Sequence, residues 1–293
     1  MRDSDTFHRA DWLAATCGEE KIRRYGVTGS SLRLSLCATR RWGLPCLRLP
    51  AFTPVGPLAH PAKRLVDTDR ELTALLDQLP TNASIAFKAE LTPAQLLAVH
   101  RAGFYSAPRL TYRLALHPEL RVLDAFNRNR RREVRRAEQR GLRYRSVPPE
   151  RAHRLFAELL RDRGIRLRPT AAAFARLAPF LGEGGAVRIR GLCDAEREGW
   201  AAALMTVRHG DTVYALYNAR TAAPTGGGAL SLLYRQVIEE WAGEGVTTFD
   251  FNGSMLPGVE DYLRGFGGER HVLYFLQRMP GGRLGRLLLG LRG

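Results

Sequence analysis

Clustered cysteines and paired histidines are missing from this sequence, and their absence argues against two kinds of site. The four cysteines are scattered without C-x-x-C spacing, a pattern typical of reduced thiols and not of a disulfide framework. The seven histidines form no H-x-x-x-H or similar pair. The sequence therefore predicts no structural disulfide and no metal site.

Long apolar runs are also missing. No stretch approaches the roughly 20 apolar residues that a membrane-spanning helix needs. The first residues, MRDSDTFHRADW, carry acids and lack the apolar core of a secretory signal. The 293 residues are 45% hydrophobic and 25% charged, as in ordinary globular proteins. We therefore expect a folded cytoplasmic protein of one large domain or two smaller ones.

Lysine is rare, since it occurs only at Lys21, Lys63 and Lys88, and nearly all the positive charge comes from arginine. The net charge of +16 suggests a polyanionic partner. The densest cluster is RNRRREVRRAEQRGLRYR at 128–145, which predicts a helix ended by Gly141. This helix is either a solvated surface with charges offset by its glutamates, or a surface that binds phosphate.

Periodicity predicts alternating strands and helices, and hence an α/β or α+β protein with mixed, mostly antiparallel sheets flanked by helices. Thr92 and Pro93 have the pattern of a helix cap and first turn. Strands are predicted in the first half at 31–38, 83–91 and 109–116 and in the second half at 186–194, 200–210, 211–219, 247–251 and 271–279. A strong amphipathic helix is predicted at 227–245.

The turn RTAAPTGGGALS, residues 220–231, lies between the last of three successive strands and this helix. A glycine-rich turn at a helix N-terminus offers unpaired N–H groups and the positive end of the helix dipole to a phosphate. A flexible surface turn is the alternative. The position between a paired strand and an amphipathic helix favours phosphate binding.

The stretch TFDFNGSMLPGVEDYLRGFGGER, residues 248–270, concentrates polar groups after a short buried strand. Asp250 is either a base that orients or deprotonates an amine, or a buried acid that caps the next turn. Asn252 and Ser254 offer hydrogen bonds to an acceptor, and Arg264 offers a cation. On the preceding strand Tyr214 and Tyr217 have phenols that could return a proton, although core packing is the expected fate of at least one.

Residues 121–279 resemble the FemAB-like proteins of the GNAT acyltransferase superfamily. The resemblance is carried by the basic helix RNRRREVRRAEQRGL, by VYALYNARTA and GGGALSLLYRQVIEEW, and by FDFNGSMLPGVEDYLRGFGGE. The segments FTPVGPLAHP and PRLTYRLAL are similar to the first half of that family. The resemblance implies two GNAT-like lobes, a degenerate one at 1–118 and an acyltransferase lobe at 119–280. The basic and apolar residues at 281–293 predict a final helix that packs on the body, with association to a membrane surface as the alternative.

The resemblance also implies a reaction: transfer of an acyl or aminoacyl group to an amine. The donor would be acyl-CoA, such as acetyl-CoA, or aminoacyl-tRNA, and the acceptor a small molecule or a cell-envelope precursor. Asp250, Tyr217 and Arg264 are then the catalytic candidates. The donor candidates are Arg220, Gly226, Gly227, Gly228 and Ala229, and the acceptor candidates are Tyr214, Asn218, Asn252, Ser254, Arg131 and Arg135.

Two departures from the family pattern affect these expectations. Ala223 occupies the place of a Gln or Arg three residues before the first glycine, and Leu263 occupies the place of a lysine in the family's F-K-x-x-F-G ending. Arg220 and Arg264 are the candidates to replace these groups. A basic polyanion-binding protein and a non-catalytic scaffold on a degenerate acyltransferase fold are the alternative functions.

Overall fold

A computed structural model describes residues 6–30, 32–56, 68–161, 164–182, 184–194, 199–222, 227–253, 255 and 257–280. The chain divides into two compact units. Residues 7–110, with the segment from Val272 onward, form one unit, and residues 111–271 form the other. Gly226, Ser254 and the predicted helix at 281–293 lie outside the described residues.

The unit of residues 7–110 and 272 onward contains a sheet with the order β1-β2-β3-β4-β11. Its strands are β1 Ile22–Gly26, β2 Arg33–Arg41, β3 Leu44–Arg48, β4 Ser84–Ala89 and most of β11 Glu269–Arg278. Its helices are α1 Ala10–Cys17, α2 Thr68–Asp77 and α3 Pro93–Arg101, with a 3₁₀ turn at Glu19–Lys21. β3 and β4 are parallel, whereas the other pairs in this sheet are antiparallel. Leucines of β2 and α2 form the centre of its core.

The unit of residues 111–271 has the strand order β5-β10-β9-β8-β7-β6. Its strands are β5 Tyr105–Ala115, which begins in the other unit, β6 Arg143–Ser146, β7 Val187–Cys193, β8 Trp200–His209, β9 Thr212–Arg220 and β10 Thr248–Asp250. Its helices are α4 Val122–Ala125, α5 Arg128–Glu138, α6 Pro149–Arg161, α7 Ala171–Ala175, α8 Ala229–Gly243 and α9 Pro257–Arg264. A 3₁₀ turn lies at Ala178–Phe180.

The helix α8 organises the core of this unit. Tyr234 and Trp241 of α8 are fully buried, and they belong to one apolar cluster with Phe249 of β10 and Phe266. Tyr234 lies 4.8 Å from the ring of Phe266, between centroids. Because all residues of its first turn are buried, this turn is held firmly against the sheet and α5.

The observed architecture confirms the predicted mixed α/β class with mostly antiparallel strands. Thr92 caps α3 in a capping box with Gln95, as its sequence pattern predicts. The basic helix ends at Glu138, and Gly141 lies just beyond with φ of 65°. Of the helices in the described ranges, none is long and apolar enough to span a bilayer.

Candidate functional site

A cavity of about 320 Å³ lies in the unit of residues 111–271, where β9 ends and α8 begins. Residues of α5 and α9 form its other walls. The lining consists of Arg130, Glu133, Asn218, Arg220, Gly227, Gly228, Leu230, Ser231, Gly258, Val259 and Tyr262. The structure therefore brings four of the predicted residues into one pocket: the donor candidates Arg220, Gly227 and Gly228, and the acceptor candidate Asn218.

A β-bulge in β9 sets which side chains reach the pocket. Met205 of β8 faces Tyr217 and its neighbour Thr206 faces Ala215, so Leu216 is the extra residue. Before the bulge, Val213 and Ala215 belong to the core cluster that contains α8. After it, Asn218 and Arg220 line the pocket beside α8. The bulge shifts the alternation of side chains by one residue, as an inserted residue in a strand does.

The parallel ladder between β9 and β10 also ends near the pocket. β10 pairs with β9 only as far as Tyr214, whereas β9 continues to Arg220. Beyond Asp250 the chain turns towards β5, where the N–H of Phe251 donates to the carbonyl of Tyr112. Ligands commonly bind where neighbouring parallel strands part at their carboxyl ends.

Gly228 fixes how closely α8 approaches α5. It is the N-cap of α8 and has φ of 78°, in the left-handed region. A Cβ atom at this position would overlap the carbonyl oxygen of Glu133 and lie 3.1 Å from its carbonyl carbon. Only glycine satisfies both the backbone conformation and this close approach. Ala229, another donor candidate, is the first residue of α8 and is fully buried.

The first turn of α8 is suited to an anion. The N–H of Leu232 makes the first bond of the helix, to the carbonyl of Gly228, so the preceding N–H groups have no partner in the helix ladder. Arg220, a cationic residue, lines the same pocket. Arg140 of the basic segment donates to the carbonyl of Gly227 at 2.6 Å and holds the turn in place. A helix N-terminus and an arginine in one pocket match the chemistry of a phosphate.

The opposite wall carries a hydrogen-bonded network that the sequence did not predict. Glu133 accepts hydrogen bonds from Arg130 Nη1 and from Ser231 Oγ, both at 2.6 Å. Ser231 Oγ lies 2.9 Å from the hydroxyl of Tyr262. The guanidinium carbon of Arg130 lies 4.2 Å from the centre of the Tyr262 ring. This network joins the first turns of α5 and α8 to α9.

Among the tyrosines that the structure describes, Tyr262 is thus the one that lines the pocket, with its hydroxyl beside Ser231. Burial raises the pKa of Tyr262 well above the ordinary tyrosine value, so the phenol stays protonated at neutral pH. One signal for it was present in the sequence: Tyr262, Leu263 and Phe266 occupy positions of a short helix after Pro257, and one side of such a helix must face α8.

The two tyrosines expected to return a proton lie elsewhere. Tyr217 packs against Phe156 of α6 and Phe174 of α7, with ring centroids 6.1 and 6.2 Å away. Burial raises its pKa, and the charge of Arg168 opposes this effect. Tyr214 is 6% exposed and does not line the pocket. The bulge at Leu216 explains why Tyr217 points towards α6 and α7, away from α8.

The sequence left two roles open for Asp250, a catalytic base and a buried acid that caps the next turn. The contacts of Asp250 match the second role. Its carboxylate is fully buried and accepts hydrogen bonds from Thr111 Oγ1 at 2.5 Å, Arg113 Nε at 2.9 Å and the N–H of Asn252 at 2.7 Å. The bond to Asn252, whose φ is 47°, closes a tight turn after β10. A carboxylate held by three donors and absent from the pocket lining is positioned to order this turn.

Arg264 does not replace the lysine of the family pattern in this pocket. It forms an ion pair with Asp261 and its side chain is 56% exposed. Since a helix turns about 100° per residue, a side chain two positions after Tyr262 points away from the wall that Tyr262 faces. Leu263 is buried in the core cluster. The cation beside Tyr262 is Arg130 of α5.

The two arginines expected to bind an acceptor do not line the pocket either. Arg131 is half-buried and Arg135 is exposed. Four exposed arginines of α5 instead follow the spacing i, i+4, i+7 and i+8, which places them on one side of the helix. They are Arg128, Arg132, Arg135 and Arg136. We call this row the α5 arginine strip.

Part of the chain matches a known protein family. Residues 125–264 match the model of a family described as "Acetyltransferase (GNAT) domain". Every residue that lines the pocket lies within this range. No curated protein sequence matches the chain.

Solved structures of similar fold cover nearly the whole chain. The crystal structure of FemX has 15% sequence identity and a TM-score of 0.68, over 97% of this chain and 94% of that one. The C-terminal domain of a putative lysylphosphatidylglycerol synthetase from Agrobacterium fabrum has 12% identity and a TM-score of 0.60, over 97% and 94%. L-PGS from Bacillus licheniformis has 12% identity and a TM-score of 0.56, over 98% and 90%.

Proposed function

We propose that the chain is an acyltransferase, with the GNAT domain of residues 125–264 on a FemAB-like fold, and that its reaction is the acylation of an amine. The donor is an acyl-CoA such as acetyl-CoA, or an aminoacyl-tRNA. The acceptor is the amine of a small molecule or of a cell-envelope precursor. The four cysteines are all free thiols, in keeping with a protein that works in the reducing cytoplasm.

One observation carries this proposal: the GNAT domain holds a pocket with an anion-binding wall and a proton-donating wall. Arg220 and the first turn of α8 form the first wall, and they suit a phosphate of the donor. Tyr262 and Ser231 form the second. A donor that lies between them has its charged end fixed and its reactive carbonyl within a partly enclosed site, which favours transfer by position alone.

The reaction requires two proton transfers. The attacking amine forms a C–N bond and loses a proton, while the leaving thiolate or alkoxide takes one when its bond to carbon breaks. Tyr262 is suited to the second step because its phenol is protonated and lies in the pocket. Glu133 and Ser231 orient this phenol, and the Arg130 cation beside its ring stabilises negative charge that develops near it.

The experiment that tests the proposal is a binding titration of the purified chain with coenzyme A, acetyl-CoA and aminoacyl-tRNA. We expect Arg220→Ala to weaken donor binding about ten-fold, the usual effect of removing one charge-assisted phosphate contact. Arg154→Ala is the matched control, because Arg154 is exposed on α6 outside the pocket and pairs only with Glu158 among the bonds described. Equal donor affinity in the two variants would refute the assignment of Arg220 to the donor phosphate.

The α5 arginine strip favours aminoacyl-tRNA over acyl-CoA, because its exposed guanidinium groups extend beyond a small donor site. RNA phosphates bind such a row with strong salt dependence, since each contact releases counterions. The titration with charged tRNA is therefore repeated at several salt concentrations. If charged tRNA binds, and the dependence of its affinity on salt becomes weaker when Arg132 and Arg136 are replaced by alanine, the donor is aminoacyl-tRNA. Binding of acetyl-CoA alone identifies acyl-CoA.

A second cavity in the same unit offers a place for an anionic acceptor. It has a volume of about 1110 Å³, lies beside α6 and the segment before α7, and is lined by Arg161, Arg166 and Arg168 among others. Arg168 is near enough to influence the Tyr217 phenol. We therefore assign acceptor phosphates to these arginines. Replacement of Arg166 and Arg168 by alanine should raise the KM of the acceptor and leave donor affinity unchanged.

A further inference from the structure

The tip of the hairpin formed by β2 and β3 breaks the usual rules for a two-residue turn. Arg41 pairs with Leu44, and the turn residues Trp42 and Gly43 have φ of 50° and 77°. Turns with both residues at positive φ normally contain Asn-Gly or Asp-Gly. A tryptophan in this conformation is uncommon, because its Cβ makes the left-handed region unfavourable.

Trp42 is also exposed to an unusual degree. Its surface is 79% accessible, the highest value among the exposed large hydrophobic residues of the described chain. The guanidinium of Arg41 stacks on the ring at 4.3 Å and covers one face. Leu44 is 36% exposed and Pro45 is exposed beside it. An apolar tip in a strained turn is costly for a monomer in water, so it indicates a binding partner.

The tip projects past its neighbours within its own sheet. The ladder of β1 with β2 ends at Cys37, and that of β4 with β3 ends at Cys46. Residues 38–45 therefore form a two-stranded ribbon with no flanking strand in the sheet of this unit. Such a ribbon can enter a surface without changing the sheet that carries it.

The charge of the β2–β3 hairpin itself is entirely positive. No aspartate or glutamate occurs between Lys21 and Asp67 in the sequence. Arg23, Arg24, Arg33, Arg40 and Arg41 of β1 and β2 are all exposed. Of these, Arg40 and Arg41 lie at the tip and are placed to contact the charges of an anionic surface, whereas the exposed Glu19 and Glu20 precede β1, whose Ile22 pairs with Cys37 at the base of the ribbon.

We propose that the β2–β3 hairpin binds anionic membranes, with Trp42 and Leu44 in the lipid interface and Arg40 and Arg41 on lipid phosphates. Tryptophan prefers the headgroup region, and juxtamembrane arginines bind acidic lipids. RNA fits less well. Base-stacking surfaces use several rings in a groove, whereas here one ring is accompanied by aliphatic Leu44 and Pro45, which gain most from lipid.

The test is co-sedimentation of the full chain with vesicles of phosphatidylglycerol and phosphatidylcholine, and with vesicles of phosphatidylcholine alone. We expect binding to the acidic vesicles only. Trp42→Ala should lower the affinity roughly ten-fold. Removing both Arg40 and Arg41 should lower it about 25-fold, from about five-fold per arginine. The charge-matched control is the double change of Arg70 and Arg101 to alanine, both exposed on helices of the same unit.

A second variant separates binding from folding. Trp42→Asn keeps a residue that tolerates positive φ before Gly43, so we expect the Tm to stay the same or rise while vesicle binding falls as in Trp42→Ala. Trp12 and Trp241 are fully buried and Trp200 is half-buried, so Trp42 is the tryptophan whose emission should shift to the blue on acidic vesicles.

Three results would overturn the proposal. The first is absence of binding to acidic vesicles by the unchanged chain. The second is equal vesicle affinity of Trp42→Asn and the unchanged chain. The third is loss of tRNA binding by the tip variants with vesicle binding intact, which would make the hairpin an RNA contact.

Discussion

Gly228→Ala tests whether the contact between α8 and α5 shapes the donor pocket. The left-handed backbone at φ of 78° costs an alanine about 1–2 kcal/mol. The new Cβ also overlaps the carbonyl oxygen of Glu133, so α8 and α5 must move apart. Strain and lost packing together should cost about 2–4 kcal/mol. For a unit of this size, that lowers the Tm by about 5–12 °C.

The matched control lies at the other end of the same helix. Gly243 is the last residue of α8, is exposed, and would have no neighbouring atom within 4 Å of an added Cβ. Gly243→Ala should therefore stabilise the protein by about 0.5–1 kcal/mol through helix propensity. Thermal unfolding followed by circular dichroism, with and without saturating donor, measures both variants. Donor affinity should fall about ten-fold or more in Gly228→Ala and stay unchanged in Gly243→Ala.

Both expectations would be refuted if the Tm of Gly228→Ala lay within about 1 °C of the Tm of the unchanged protein and both proteins bound the donor equally well. The first turn of α8 would then not depend on its close approach to Glu133. A variant that loses stability but keeps full donor affinity would refute only the second expectation. In that case the donor phosphate would lie away from the N-terminus of α8.

The remaining predictions concern the two walls of the pocket and the turn after β10. Tyr262→Phe should lower kcat about 100-fold with little change in donor affinity. Because burial raises the pKa of Tyr262, proton donation by Tyr262 in the unchanged enzyme should persist up to at least pH 10, which a pH profile of kcat measures. Asp250→Asn should destabilise by about 3 kcal/mol in urea unfolding, because Arg113 loses its buried partner, and the refolded fraction should keep its specific activity. Arg264→Ala should leave kcat/KM within about two-fold, because an exposed ion pair contributes little; a loss of 100-fold would restore the role suggested by sequence.

Local signals in the sequence predicted local structure well. Thr92 and Pro93 specify a helix start through hydrogen bonds and dihedral limits within one turn, so no distant contact is needed to recognise them. Gly228 before α8 is similar, because a helix entry with positive φ demands glycine whatever surrounds it. The place of Gly228 at the pocket was predictable for this reason.

The faces of β9 could not be predicted in the same way. Strict alternation puts Tyr217 on the face of Val213 and Ala215, which pack with α8. The bulge at Leu216 arises from pairing with β8, more than ten residues earlier in sequence, and it reverses the alternation for the rest of the strand. A single inserted residue thus exchanged Tyr217 for Asn218 at the pocket. The sequence of β9 alone contains no pattern from which this change of face could be predicted.

The stretch at 248–270 serves mainly to position Tyr262. Its polar residues are close together in sequence and therefore suggested one catalytic site, but they have different structural roles. Asp250 closes the turn after β10 by accepting the N–H of Asn252, and its carboxylate also accepts hydrogen bonds from Thr111 and Arg113 of β5. Gly267, with φ of 81°, lets the end of α9 pack so tightly on Ala125 that any Cβ would overlap its carbonyl oxygen. These two contacts hold the chain before and after α9 against β5 and α4. Polar groups close in sequence therefore have separate roles, and among the polar side chains that the structure describes in this stretch, Tyr262 is the one that lines the donor pocket.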